Sequence, residues 1–151
     1  MLSSFLKKLL FARQFFIMDG KIEVLGERQV MLPARMLMRI HALRPKESSE
    51  IIKQEFRAEV ERYARKIGSG EEGMLKNLSD VFETIGIGKM EIVDLDNEKK
   101  RAIVRIENPL AENEQAVIAA FLAGTFSFIF RKEVNAQPPS ERKKADEFIV
   151  R

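Results

Sequence analysis

Gln115-Ala-Val-Ile-Ala-Ala-Phe-Leu-Ala-Gly-Thr-Phe-Ser-Phe-Ile-Phe130 is the stretch that decides how this chain folds. It contains no charge and is apolar nearly all round, the mark of a helix enclosed by other elements. It falls short of the ~20 residues a membrane-spanning helix requires, and Gln115, Thr125 and Ser127 interrupt it. Phe121, Phe126, Phe128 and Phe130 share this helix with Ala119, Ala120, Ala123 and Gly124. Small residues let another element come close, while large aromatics fill or line volume. Two readings follow: a plain packed core, or an apolar pocket for a hydrophobic ligand.

Working outward, Lys89 to Asp94 and Arg101 to Glu107 alternate in hydrophobicity around Asp96-Asn97-Glu98, which predicts a hairpin. In its second strand Ala102, Val104 and Ile106 share one face, and Arg101, Ile103, Arg105 and Glu107 the other. Asn108-Pro109 turns the chain into the enclosed helix, which starts at Glu112 or Asn113. Beyond it, Glu133 to Gln137 and Glu147 to Val150 read as short strands around Pro138-Pro139-Ser140, and the prolines point to a sheet edge or a loop.

Three helices precede this half. Pro33 suits the first position of one ending near Leu43. Ser48 or Ser49 could cap a long one to Ile67, with Ile52, Phe56, Val60, Tyr63 and Ile67 as its buried stripe. Met74, Leu75, Leu78, Val81, Phe82 and Ile85 mark the third, stopped by Gly86 and Gly88. Asp19-Gly20 joins Phe15–Met18 to Lys21–Leu25 in an earlier hairpin, and Gly26-Glu27-Arg28 makes a further turn. Leu2, Phe5, Leu6, Leu9 and Leu10 outline an amphipathic helix over residues 1–13, suited to docking or dimerisation, with membrane-surface contact the lesser alternative. Residues 14–151 then form one α+β domain: antiparallel hairpins forming a sheet covered by helices, with a buried C-terminal helix.

Composition narrows the function. The chain has 151 residues and no cysteine, which removes disulfides, thiolate zinc sites and cysteine nucleophiles. Its 26 basic residues are interspersed with 23 acidic ones, so no basic patch marks a nucleic-acid surface. Lys7 and Lys8 break the apolar run at the N-terminus, and no cleavage-site pattern follows, so the expected location is the cytoplasm.

Catalytic patterns are missing: no GxGxxG, P-loop, GxSxG or HExxH occurs. His41 stands alone on a helix with no carboxylate or second histidine spaced to join it. Glu71-Glu72 suits the opening turn of a helix, where carboxylates favour the dipole, and Asp94 and Asp96 flank a hairpin turn.

Arg105-Ile106-Glu107-Asn108-Pro109, followed by Ala119-Ala120-Phe121-Leu122-Ala123-Gly124 and closed by Asp146-Glu147-Phe148-Ile149-Val150, resembles the 4-vinyl reductase-like, or hydrocarbon-binding, domain. The similarity runs over roughly residues 15–150, and the last third carries the recognisable wording. That family shares a fold with the small subunits of the transport-particle (TRAPP) tethering complex. The resemblance implies a sheet covered by helices, a tendency to dimerise, and a small-molecule sensor or carrier rather than an enzyme. The family commonly places cysteines at the start of the core helix and in the last hairpin. Here Ala119-Ala120, Pro138 and Asp146 stand near those positions, and Arg142 stands where a glycine would lie, so a cysteine-based metal site is excluded. No residue nominates itself as a proton donor for a reductase of tetrapyrrole metabolism.

The expected activity is therefore non-enzymatic binding of a hydrophobic small molecule by a homodimer, with no cofactor, metal or nucleic acid. Pocket lining is expected among Phe56, Tyr63, Phe82, Phe121, Leu122 and Phe128. The alternative is a structural or adaptor protein of the tethering-subunit type, its core filled and its function on a surface.

Overall fold

The computed structural model describes Lys7 and residues 15–24, 26–68, 70–110, 115–138 and 147–151. The predicted helix over residues 1–13 lies, apart from Lys7, outside the described residues, as do the start of the enclosed helix and the stretch 139–146.

Strands β1 (Phe15–Met18), β2 (Lys21–Val24) and β3 (Glu27–Gln29) form one antiparallel sheet in that order. Asp19 and Gly20 both take positive φ, 51° and 72°, the turn that matches the twist of a tight hairpin. The segment Glu27–Gln29, expected as part of a turn, instead adds a third strand through Ile22↔Gln29 and Val24↔Glu27. Its polar sequence carries no alternation to announce it.

Helices α1 (Ala34–Leu43) and α2 (Pro45–Lys66) follow with one residue between them. Pro45 occupies the first turn of α2, where its missing N–H costs nothing. The expected caps Ser48 and Ser49 therefore fall inside the helix. Ser48 turns its hydroxyl back toward His41 and the Arg44 carbonyl instead. Helix α3 (Glu71–Thr84) begins after Gly70 with Glu71 and Glu72 in its opening turn, where the helix dipole favours acids.

Strands β4 (Lys89–Asp96), β5 (Arg101–Glu107), β6 (Ala136–Gln137) and β7 (Glu147–Val150) build the second antiparallel sheet in the order β4-β5-β7-β6. On β5 the side chains of Ala102, Val104 and Ile106 are buried and their neighbours face outward, as the alternation requires. Met90, Phe148 and Val150 join them from the adjoining strands. Gly88 leads into β4 at φ +138°, and a Cβ there would stand 2.6 Å from Ile106 Cγ2. Only glycine fits that position.

Strand β6 is shorter than the Glu133–Gln137 run the sequence suggests. Asn135 still exchanges both backbone hydrogen bonds with Arg151, but the residues before it are engaged elsewhere: Glu133 by α2, and the Val134 N–H by Ser127 Oγ at 3.1 Å. Its place at the sheet edge, followed by Pro138, suits a residue that cannot donate to a ladder.

Helix α4 (Gln115–Ile129) lies between this second sheet and α2, with α3 beside it against β4. Its buried residues span every side of the helix, from Val117 through Ile129. Phe82, Phe126, Phe148, Leu122 and Met74 form the centre of the core, and burying each such side chain contributes on the order of 2 kcal/mol or more. Gly124 makes the α2–α4 contact possible. A Cβ at this position would lie 2.4 Å from the Lys53 carbonyl oxygen and 3.1 Å from the Arg57 nitrogen.

Candidate functional site

Aromatic side chains meet where α2 and α4 approach each other beside the first sheet. Phe56, on the buried stripe of α2, meets Phe121 of α4 edge-on at 4.8 Å between ring centroids. Phe82 of α3 also meets Phe56 in a T-shaped contact, at 5.8 Å between centroids. Such T-shaped contacts are worth about 0.5–1.5 kcal/mol beyond the area they bury.

Phe56 and Phe121 form part of the wall of a groove of about 380 Å³ that opens to solvent. Arg28 and Gln29 of β3 stand on one side, and Ile52 and Glu59 of α2 on the other. The apolar part of the lining is Ile51, Ile52, Phe56 and Phe121, and Glu27, Glu55 and Arg62 complete a charged rim. The groove thus joins an apolar floor to more polar groups than small-molecule sites usually carry.

Glu59 is the polar group set deepest here. Its side chain is mostly buried, and Oε2 accepts from Arg62 Nε at 2.9 Å and from Arg62 Nη2. Oε1 is buried with no hydrogen bond of ordinary geometry, while the Tyr63 hydroxyl, one turn on, is close enough to share a hydrogen bond with this carboxylate. Burial first, and then the Glu59 carboxylate, push the Tyr63 hydroxyl far above the ordinary phenol range, so it stays protonated. The hydrogen bond from Arg62 to Glu59 raises the guanidinium above its ordinary value. At the rim, Lys66 hydrogen-bonds Glu27 at 3.0 Å and holds that carboxylate below its usual range.

Of the residues expected to line a pocket, Phe56 and Phe121 come together at the groove. Phe82 and Leu122 are fully buried in the core, Tyr63 is nearly so, and Phe128 is half-buried against the same core. Glu59, Ile52, Arg28 and Gln29 were missed. For Glu59 a signal existed: it lies three residues after Phe56 and four before Tyr63, a carboxylate on an apolar stripe.

Two other grooves open on the surface. One of about 430 Å³ runs along α1 past Met36, Ile40 and Leu43. The other, about 270 Å³, lies between Lys46 and Lys53 of α2 and Ala119, Ala120 and Ala123 of α4. Neither joins aromatic rings from two helices to a buried acceptor. Among the described residues no group of three or more His, Asp or Glu is placed to hold a metal ion, and no helix is long and apolar enough to cross a membrane.

No family model matches the chain, and no curated protein matches its sequence. Among solved structures, the chain is similar to the crystal structure of the phenol-responsive sensory domain of the transcription activator PoxR with phenol. The TM-score is 0.66 over 98% of this chain and 90% of that one, at 15% identity. The two chains share a fold. At that identity the likeness speaks for the architecture, and the residues of the groove have to be argued on their own chemistry.

Proposed function

We propose that this chain is a binding module for a hydrophobic small molecule, a cytoplasmic sensor or carrier that works as a homodimer without catalysing a reaction. The observation that carries the reading is the groove at Phe56 and Phe121. Two aromatic rings from different helices meet there, and the Glu59 carboxylate supplies a buried acceptor beside them. A compact aromatic or short lipid-like molecule would cover the exposed edge of Phe121 and extend the edge-to-face stack. The PoxR sensory domain, which shares the fold, is described with phenol, in keeping with a sensor role.

Two-dimensional amide NMR of the full chain tests this, with phenol and decanoate as probes. Saturable shifts centred on Ile52, Phe56 and Phe121, lost in Phe121→Ala, are the expected outcome. No saturable shift with either probe at millimolar concentration would overturn the reading.

One observation favours a second reading, a structural or adaptor protein of the tethering-subunit type. Phe82, Leu122, Phe126 and Phe148 fill the centre of the core, while large apolar side chains are exposed on α1 and the linker before it. An adaptor would leave the NMR spectrum unchanged by both probes and be retained through that outer surface.

A further inference from the structure

We infer that the outer face of α1, with the linker before it, is the surface through which two copies of this chain pair, the basic α1 of each lying on the acidic opening turns of the other's α2. This rests on the two-chain reading above and adds a surface to it. Helix α1 is apolar on both sides. Ala34, Leu37, Met38 and His41 turn toward the rest of the chain, while Met36, Ile40 and Leu43 form an exposed stripe at steps of four and three. Val30, Met31 and Leu32, in the linker just before the helix, are exposed as well. Leu43 is 81% exposed, Met31 79% and Val30 74%.

With Ile51 on α2, seven large apolar side chains are exposed on this one helix, the linker before it and the next helix, more than the scattered single ones that need no explanation. Exposure of this kind calls for cover.

Charge selects what covers it. From residue 28 to residue 46 the basic side chains are Arg28, Arg35, Arg39, Arg44 and Lys46, and there is no acid. Stacking α1 on a second α1 would set arginine against arginine. Helix α2 opens with the opposite sign: Glu47, Ile51 and Glu55 follow one another at i+4 on an exposed stripe, with Glu50 beside them. Lys46 stands in the same opening turn, and Arg44 already pairs with Glu47 at 3.5 Å. Lys53 and Arg57 are both engaged by Glu133 on another side of the helix, which leaves Glu50 and Glu55 to face a partner's arginines. Each copy thus carries a basic apolar stripe and, next to it, an acidic one with an apolar residue of its own. A two-fold arrangement matches both at once, because residues on each copy meet their complements on the other. Arg28, Ile51 and Glu55 also border the groove at Phe56 and Phe121, so the second copy would flank the mouth of that groove. An anionic membrane would suit α1 but would repel the glutamates beside it.

Light scattering on the full chain gives the mass in solution. The wild-type chain is expected at twice the chain mass, and Ile40→Glu/Leu43→Glu at the single-chain mass with an unchanged far-ultraviolet circular dichroism spectrum. Should that variant fail to fold, Arg35→Glu/Arg39→Glu, which alters only exposed charge, is expected to lose the two-chain mass too. Because the chain has no cysteine of its own, copies bearing Leu43→Cys can be mixed with copies bearing Ile51→Cys and oxidised. A covalent pair at several-fold higher yield than from Val93→Cys mixed with Ile51→Cys is expected, Val93 being exposed on the second sheet. A wild-type chain of single mass, with or without affinity for anionic vesicles, overturns both the surface and the two-chain reading. A two-chain mass that survives both double variants, or no preference in cross-linking, overturns the surface alone.

Discussion

His41 and Ser48 share a hydrogen bond of 2.8 Å that ties the last turn of α1 to the first turns of α2. His41 is buried at the junction, and Ser48 Oγ also lies 2.8 Å from the Arg44 carbonyl. Removing the hydroxyl leaves a buried ring nitrogen without this partner. Ser48→Ala is expected to lower stability by about 1 kcal/mol. Amide exchange should accelerate across Ala34–Leu43 more than in α3. Unchanged protection in α1 would show that the junction is held by something else.

Phe121 and Phe82 both neighbour Phe56, yet their losses should differ in kind. Phe82 is fully buried, so Phe82→Ala is expected to cost about 3–5 kcal/mol in urea unfolding. Phe121 is only half-buried and faces the groove, so Phe121→Ala should cost well under that while abolishing the NMR response to phenol. Equal destabilisation by the two variants would mean that Phe121 serves the core and not a ligand.

Gly124→Ala adds a single methyl group where backbone atoms of α2 already stand. The carbonyl of Lys53 cannot swing away as a flexible side chain would. A loss of about 1–3 kcal/mol and a lower melting temperature are expected, the usual result of forcing volume into a packed interior. A variant as stable as wild type would show that the two helices can separate freely.

Acid should loosen the segment after α4. Lys53, with Arg57 beside it, holds the Glu133 carboxyl below its ordinary value of 4.5. A carboxylate with a depressed folded-state pKa contributes stability above that ordinary value and loses it as the pH falls through the depressed one. Glu133 is well exposed, so the contribution is at most about 1 kcal/mol. Glu133→Gln should therefore unfold more easily than wild type at neutral pH and equally at strongly acid pH, giving a shallower dependence of the urea midpoint on pH. Parallel curves for the two proteins would assign the acid response to other carboxylates.

Local signals made much of the architecture legible. Asp19-Gly20 announced its hairpin, the stripe of α2 announced its buried face, and the charge-free run announced an enclosed helix. What was hidden depended on distant partners. Glu27-Arg28-Gln29 becomes a strand because β2 offers an edge, not because of its own composition. Ser48 looked like a cap because serine commonly is one, but the proline three residues earlier fixes the helix start sooner. Nothing near Glu147–Val150 states that this strand will pair with β5 on one side and β6 on the other. In the groove, the aromatic rings were readable from helical spacing. Arg28 and Gln29 were not, because the sheet that brings them to α2 could not be positioned from sequence.

Backbone touching backbone at Gly124 and Lys53 also has a mechanical meaning. Phe121 lies one turn from that point along α4, and Phe56 one turn from it along α2. The helices cannot move closer there, so the contact sets a floor on their spacing: room between the two rings can be gained by parting or tilting the helices or by turning a ring, never by pressing the crossing tighter.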